Sequence, residues 1–191
     1  MALVCPCFPV NELGRKGVHI LVGVGIAAVI GLLGRDLALT VLLVSLLAGL
    51  ILSDAIARGH RIPLVSRLID DLERPGVLPG KGAILFVFSS AFCLFFFPVG
   101  VVVPAVLTLA LLDGMSAIVG RWAGKHRAWN RKTWEGTAGG IAAASVPLFV
   151  LVAPLPALVA VLVAGFIELI SPVDDNLVIP VAVCLVLTVL G

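Results

Sequence analysis

The chain has 191 residues, of which 61% are hydrophobic and 13% are charged, and its formal net charge is +2. Its mean hydropathy is +1.21. This composition excludes an ordinary soluble domain, and the length leaves no room for a sizeable soluble domain beside a membrane domain. We therefore predict an all-α fold, a polytopic integral membrane protein with one membrane-embedded domain over residues 1–191, because helices satisfy their own backbone hydrogen bonds in lipid.

Seven apolar segments are candidates for helices that cross the bilayer, which takes roughly 20 residues. In chain order they are 17–34, 37–53, 82–98, 100–120, 135–153, 155–171 and 177–191. The connections at residues 35–36, at residues 98–100 and at Pro154 are short. Each of them predicts a helical hairpin between neighbouring spans.

Positive charge is biased to one side of these spans. With a cytoplasmic N-terminus, 12 of the 13 Lys and Arg residues fall in inside segments, and Arg35 alone lies outside. The positive-inside rule therefore predicts that the N-terminus is cytoplasmic. All Asp and Glu residues except Asp36 lie on that side as well. Since acidic residues do not set topology, charges of both signs at one face indicate a site there.

The first span opens with four polar side chains on one helical face. Glu12, Arg15, Lys16 and His19 fall within an arc of about 100° at helical spacing. Arg and Lys at this depth are also typical of interfacial anchors whose charged ends reach the headgroups. An anchor accounts less well for Glu12 and His19, so the pattern favours a functional face.

The longest inside loop covers residues 54–81. Apolar residues recur at helical spacing between Leu64 and Leu72, which predicts a short amphipathic helix on the membrane surface. Residues 73–82 then form a turn rich in glycine and proline. Such a turn can present backbone N–H groups and Lys81 to a phosphate, and a plain connecting loop is an equal alternative.

Two carboxylates flank the basic loop that follows the fourth span. Asp113 lies near the inside end of that span, and Glu135 opens the next one. Glycines spaced by four at 120–124 and 136–140 are typical of closely packed helices, so we expect the two carboxylates to lie near each other. Such a pair could hold Mg²⁺. The loop residues left for phosphates are Lys125, Arg127 and Lys132.

A third polar group lies near the C-terminus. Glu168 is close to the inside end of the sixth span, and the polar run 174–176 precedes the seventh. Asp175 or Asn176 is expected to cap the last helix. Three polar residues exceed the need of one cap, so the run also favours a site.

These motifs, in this order, resemble the family of CTP-dependent lipid-alcohol kinases, which includes dolichol (polyprenol) kinase, phytol kinase and the yeast-type diacylglycerol kinase. The matching residues are Glu12-x-x-Arg15-Lys16-x-x-His19, Asp113-x-x-x-Ala117-x-x-Gly120-x-x-x-Gly124-Lys125, Lys132-x-x-Glu135-Gly136-x-x-Gly139-Gly140 and Asp174-Asp175-Asn176-Leu177-x-Ile179-Pro180. The resemblance covers nearly the whole chain.

The resemblance implies that CTP is the phosphoryl donor and that a long-chain isoprenoid alcohol of the polyprenol type is the acceptor, giving polyprenyl phosphate and CDP. Phytol, geranylgeraniol and diacylglycerol remain open as acceptors. A phosphatidate cytidylyltransferase is a further alternative, although the His-Gly-Gly and Asp-Arg-x-Asp signature of that group is absent from this chain. A small transporter is the non-enzymatic alternative, but its site would be expected near the bilayer midplane.

The expected site residues follow from this reading. The catalytic residues are Asp113, Glu135 and Lys132, and the Mg²⁺ ligands are Asp113, Glu135 and Asp175. The nucleotide and phosphate-binding residues are Arg15, Lys16, His19, Lys81, Gly120, Gly124, Lys125, Lys132, Gly136 and Asn176. The residues on the side of the lipid hydroxyl are Glu12 and Glu168.

The expected partners are CTP, the lipid alcohol and membrane lipid, with no nucleic acid. The glycine patterns could serve contacts between two copies of the chain, so a homodimer stays open. The expected location is the plasma membrane of a prokaryote, or the endoplasmic reticulum membrane of a eukaryote, with the active site on the cytoplasmic face.

Overall fold

The computed structural model describes residues 12–72, 77–128 and 132–191, and over these residues all regular secondary structure is helical. In chain order the helices are α1 (Glu12–Ala57), α2 (Pro63–Leu72), α3 (Lys81–Phe96), α4 (Val99–Ala123), α5 (Trp134–Leu151), α6 (Pro154–Ile170) and α7 (Asp175–Leu190). The predicted all-α class is confirmed. Residues 73–76 of the predicted glycine and proline-rich turn lie outside the described ranges.

Helix α1 is interrupted at Gly34, where φ is 73° and ψ is 178°. A φ in this region suits glycine, because a Cβ would crowd the backbone. The interruption separates a first arm, residues 12–33, from a second arm, residues 35–57. Gly23 of the first arm packs on Phe86 and Gly49 of the second arm packs near Ile84, so both arms pass the same end of α3. The chain therefore folds back here, as the short connection predicted, and the break falls one residue earlier than expected.

Prolines mark the other two tight connections. Pro98 occupies the N-cap position of α4, and Pro154 is the first residue of α6. Proline suits the start of a helix because the N–H that it lacks would have no intrahelical partner there. Helices α5 and α6 pack against each other as the predicted hairpin, whereas α3 packs mainly against α1 and α7 and only slightly against α4. Helix α2 lies where an amphipathic helix was expected.

Helix α4 lies at the centre of the bundle and packs against α1, α5, α6 and α7. Its closest neighbour is α5, and two glycines of α5 permit this approach. A Cβ on Gly136 would lie 2.5 Å from the backbone oxygen of Ser116, and one on Gly140 would lie 2.7 Å from that of Leu112. The close packing that the 136–140 spacing predicted is therefore confirmed.

Three helices of the described chain are long and apolar enough to cross a membrane, namely α1, α4 and α5, while α3, α6 and α7 are shorter apolar helices. Large apolar side chains cover the outer surface, and Leu32, for example, is 85% exposed. An exposed apolar surface of this extent is typical of a protein that faces lipid. The chain is therefore associated with a membrane.

Candidate active site

A cavity of about 1020 Å³ lies at the end of the bundle where α1, α3 and α7 begin and α6 ends. This volume is at the upper end of the range for small-molecule sites, about 300–1,000 Å³. Charged side chains of both signs line it. The cations are Arg15, Lys16, Lys81, Arg121 and Lys132, and the carboxylates are Glu12, Asp113, Glu168, Asp174 and Asp175.

The first charge cluster joins α1 to α4. The ammonium of Lys16 donates to both carboxylate oxygens of Asp113 at 2.6 Å. His19 lies one helical turn after Lys16, and its Nε2 is 3.4 Å from Asp113 Oδ2. The Lys16 and Asp113 side chains are only 10% and 13% exposed, so each stabilises the other's charge in a poorly solvated place. The predicted polar face of the first span therefore points at Asp113.

The second cluster is centred on Lys132. Its ammonium lies 2.6 Å from Asp175 Oδ2 and 3.1 Å from Glu168 Oε1, and it also donates to the backbone oxygen of Glu168. Burial by itself lowers the pKa of Lys132, but the charges of Asp175 and Glu168 outweigh burial and raise the pKa above its ordinary value. Lys132 is thus a cation held in place by two helices.

Glu168 is almost completely buried, with 2% exposure. Besides facing Lys132, it accepts hydrogen bonds from the hydroxyls of Ser116, at 3.1 Å, and Thr137, at 2.7 Å. Both of its carboxylate oxygens are therefore engaged by protein groups. Glu168 was expected beside the lipid hydroxyl. Its contacts instead favour a structural role, in which Glu168 holds Lys132 in place.

The start of α7 supplies the third cluster. The side chain of Asp174 caps α7 by accepting from the backbone N–H of Asn176, and its carboxylate is 3.5 Å from the ammonium of Lys81. Asn176 donates weakly to the backbone oxygen of Gly82, at 3.5 Å. The cap is therefore Asp174 and not Asp175 or Asn176, where the sequence placed it, and the side chains of Asp175 and Asn176 are left to line the cavity.

Three buried polar atoms on the cavity wall have no hydrogen-bond partner among the residues that the structure describes. They are His19 Nε2, Asp175 Oδ1 and Asn176 Oδ1. A buried polar atom without a partner costs about 1–3 kcal/mol. Such a cost is typically offset when a ligand, an ion or water supplies the missing partner.

The structure does not bring Asp113 and Glu135 together, which corrects the expectation from the sequence. Glu135 contacts His126, whose Nδ1 is 2.6 Å from Glu135 Oε1, and lies outside the cavity. The reason is the register of α5 against α4. Gly140 is the residue that opposes Leu112, beside Asp113. Glu135 precedes Gly140 by five residues, which is about 7.5 Å along a helix axis.

The other predicted residues divide between the cavity and its surroundings. Arg15 and Glu12 line the cavity and pair with each other, at 2.6 Å. Gly120 also lines it. Gly124, Lys125 and Gly136 do not. The glycines serve packing instead, since a Cβ on Gly120, Gly124 or Gly136 would meet the side chain of Thr133.

No group of three or more His, Cys, Asp or Glu side chains that could hold a metal ion is present among the described residues. In the described part of the chain the three expected ligands have different partners: Asp113 contacts Lys16, Glu135 contacts His126 and Asp175 contacts Lys132. Mg²⁺ commonly binds through one or two carboxylates together with substrate phosphates. Asp175 Oδ1, which has no hydrogen-bond partner among the described residues, fits that arrangement.

Sequence reasoning missed three residues of the cavity wall. Ser116 and Thr137 hold Glu168, and Arg121 adds a cation. Ser116 follows Asp113 by three residues on the same helix, and this spacing could have indicated a shared face.

Compared with protein-family models, with curated proteins and with solved structures, the chain matches none of them.

Proposed function

We propose that this protein is a CTP-dependent lipid-alcohol kinase that transfers the γ-phosphoryl group of CTP to a polyprenol-type alcohol. The observation that carries the proposal is the single cavity in which the Lys16–Asp113 pair and the Lys132–Asp175 pair both lie, open to an apolar wall. A kinase for a lipid must bring a polyanion and an apolar chain to one place. The choice of CTP and of a polyprenol rests on the family resemblance.

Phosphoryl transfer depends mainly on positioning and on neutralising charge. Lys132, Lys81 and Arg15 line the cavity as cations for the triphosphate. Helices α3 and α7 begin at the cavity, and the N-terminal ends of helices favour bound anions. Mg²⁺ would reach the site with the nucleotide and use Asp175 Oδ1 as its protein ligand, where it would neutralise charge on the phosphates.

Asp113 is the best candidate to orient the acceptor hydroxyl. Its carboxylate is anchored by Lys16, and it faces the cavity. In the proposed step the hydroxyl oxygen forms a bond to the γ-phosphorus, while the bond between that phosphorus and the β–γ bridging oxygen breaks. The hydroxyl proton passes to Asp113 or to water, and CDP leaves with the bridging oxygen.

The proposed placement has seven crossings of the bilayer, with the N-terminus and the cavity on the cytoplasmic side. The charge distribution along the chain supports it, because 12 of the 13 Lys and Arg residues would lie inside. The membrane is the plasma membrane in a prokaryote or the endoplasmic reticulum membrane in a eukaryote. Labelling of single cysteines from each side of sealed vesicles tests this orientation.

The direct test uses purified protein in detergent with CTP labelled at the γ-phosphate, Mg²⁺ and a polyprenol. Label in a lipid monophosphate, with loss of transfer when EDTA removes Mg²⁺, is the expected result. CTP labelled at the α-phosphate is the control, since a cytidylyltransferase would move that label into a CDP-lipid. No labelled lipid with polyprenol, phytol, geranylgeraniol or diacylglycerol would contradict the proposal and favour a transporter.

A further inference from the structure

The wall of the cavity has a charged part and an apolar part. Charged groups come from the start of α1 and from α3, α4, α6, α7 and the loop before α5. Apolar side chains come from the two arms of α1, from α2, and from α3 with the residues before it. The part that we call the apolar annex is lined by those of α1 and α2, which are Val18, Val22, Leu52, Ile56, Val65 and Leu72.

The apolar annex opens toward the outer surface of the bundle. Val18 and Val22 line the cavity, yet each is also 39% exposed. The apolar wall is thus continuous with the lipid-facing surface of the first arm, where Leu21 is 75% exposed.

The second arm leaves space on its side of the annex. Gly49, Leu52, Ser53 and Ile56 line the cavity at intervals of three and four residues, which places them on one helical face. Gly49 adds no side chain. The buried hydroxyl of Ser53 donates to the backbone oxygen of Pro79 at 2.6 Å, so its hydrogen-bonding need is met away from the annex.

A short chain of contacts joins the annex to the charged clusters. Phe86, which is 1% exposed, lies at the inner end of the annex, and its ring centroid is 4.8 Å from that of His19. His19 is in turn 3.4 Å from Asp113. A molecule whose apolar part filled the annex would therefore hold its polar end beside Asp113.

We propose that the apolar annex is the binding site for the hydrocarbon chain of the acceptor, and that a single isoprenoid-type chain enters it from the bilayer between the two arms of α1. This inference rests on the proposed kinase function for the identity of the acceptor. Gly49 sets the width of the annex and is the specificity-determining position. Glu12 and Arg15, at the start of the first arm, belong to the charged part of the cavity wall.

The test is photolabelling in nanodiscs without nucleotide, using geranylgeraniol with a diazirine on its terminal isoprene unit. Adducts are expected on the cavity-lining residues Val18, Val22, Leu52 and Ile56, mapped by mass spectrometry. Gly49→Leu should lower their yield by about tenfold or more, because a filled pocket discriminates strongly even by one methylene group. Gly100→Leu is the matched control at the start of α4, the end of the bundle away from the cavity, where a Cβ would meet nothing within 4 Å, and it should leave the yield unchanged.

A second variant is needed because Gly49→Leu could lower the adduct yield simply by disturbing folding. Leu52→Trp narrows the same annex from a half-buried position and should lower the yield as Gly49→Leu does. Adducts spread over the outer apolar surface, for example at Phe166, which is 62% exposed, or insensitive to both variants, would overturn the site. The labelling contains no CTP, so it is independent of the transfer assay described above. If the protein transfers phosphate in that assay but its photoadducts are not localised, the annex alone is overturned. If the adducts are localised but no transfer occurs, the kinase proposal alone is overturned.

Discussion

Lys16 and Asp113 are 97 residues apart in the sequence, and the Lys16 ammonium lies 2.6 Å from both oxygens of the Asp113 carboxylate. This pair joins the first arm of α1 to the central helix α4 and is largely shielded from solvent. Removing one partner of such a pair leaves an uncompensated charge, whereas replacing both with apolar groups is often neutral. The pair can therefore be tested for stability and for catalysis separately.

The Lys16→Met and Asp113→Leu variants each leave one charge without its partner, and each should reduce the free energy of unfolding by on the order of 3–5 kcal/mol. The double variant Lys16→Met/Asp113→Leu should recover most of this loss. All three should lack phosphoryl transfer. Thermal unfolding in detergent, measured beside the transfer assay, gives both quantities, and additive losses in the double variant would show that the two residues are not coupled.

Lys132 and Lys125 offer a matched comparison within the loop before α5. Lys132 lies between Asp175 and Glu168, while Lys125 is exposed and outside the cavity. Lys132→Met should lower kcat by about a hundredfold or more, since it removes a positioned cation. Lys125→Met should change the rate by no more than about fivefold. Equal losses in the two variants would mean that the loop acts through its total charge.

Glu168 and Glu135 form a second matched pair, because one is buried against Lys132 and the other contacts His126. Glu168→Gln should misplace Lys132 and lower kcat by about a hundredfold. Glu135→Gln should have a much smaller effect on transfer. The measurement is steady-state kinetics with CTP varied, at several Mg²⁺ concentrations. A requirement for higher Mg²⁺ in Glu135→Gln would restore Glu135 as a metal ligand.

The packing of α5 on α4 can be tested at Gly136. A Cβ there would lie 2.5 Å from the backbone oxygen of Ser116, whereas a Cβ at Gly17 would meet nothing within 4 Å. Gly136→Ala should lower the free energy of unfolding by about 1–3 kcal/mol. Gly17→Ala should be neutral or stabilising by about 0.5–1 kcal/mol. An unchanged melting temperature in Gly136→Ala would mean that the two helices can separate without cost.

Much of the fold could be predicted because apolar runs and breakers define helices locally. The span expected at 155–171 corresponds to Pro154–Ile170, and the expected turn at residues 35–36 corresponds to the break at Gly34. The site was less predictable. Glycine spacing indicates that two helices pack closely, but it does not fix their register, and the register separates Glu135 from Asp113.

Contacts between distant elements could not be predicted at all. Lys132 reaches Glu168 across 36 residues and Asp175 across 43. No periodicity in the sequence links these positions, because the loop before α5 and the ends of α6 and α7 are brought together only by the packing of the whole bundle. The hydroxyls of Ser116 and Thr137 matter for the same reason, since their role depends on the buried Glu168 between them.

The described charges on the cavity wall are five cations and five carboxylates, and their formal sum with neutral histidine is zero. The described cavity wall thus holds no formal surplus of positive charge for a nucleotide to neutralise. A triphosphate entering alone would leave the cavity strongly anionic, so its uptake must be linked to uptake of a countercharge from solution. Nucleotide and divalent cation are then expected to strengthen each other's binding by the same factor, as thermodynamic linkage requires.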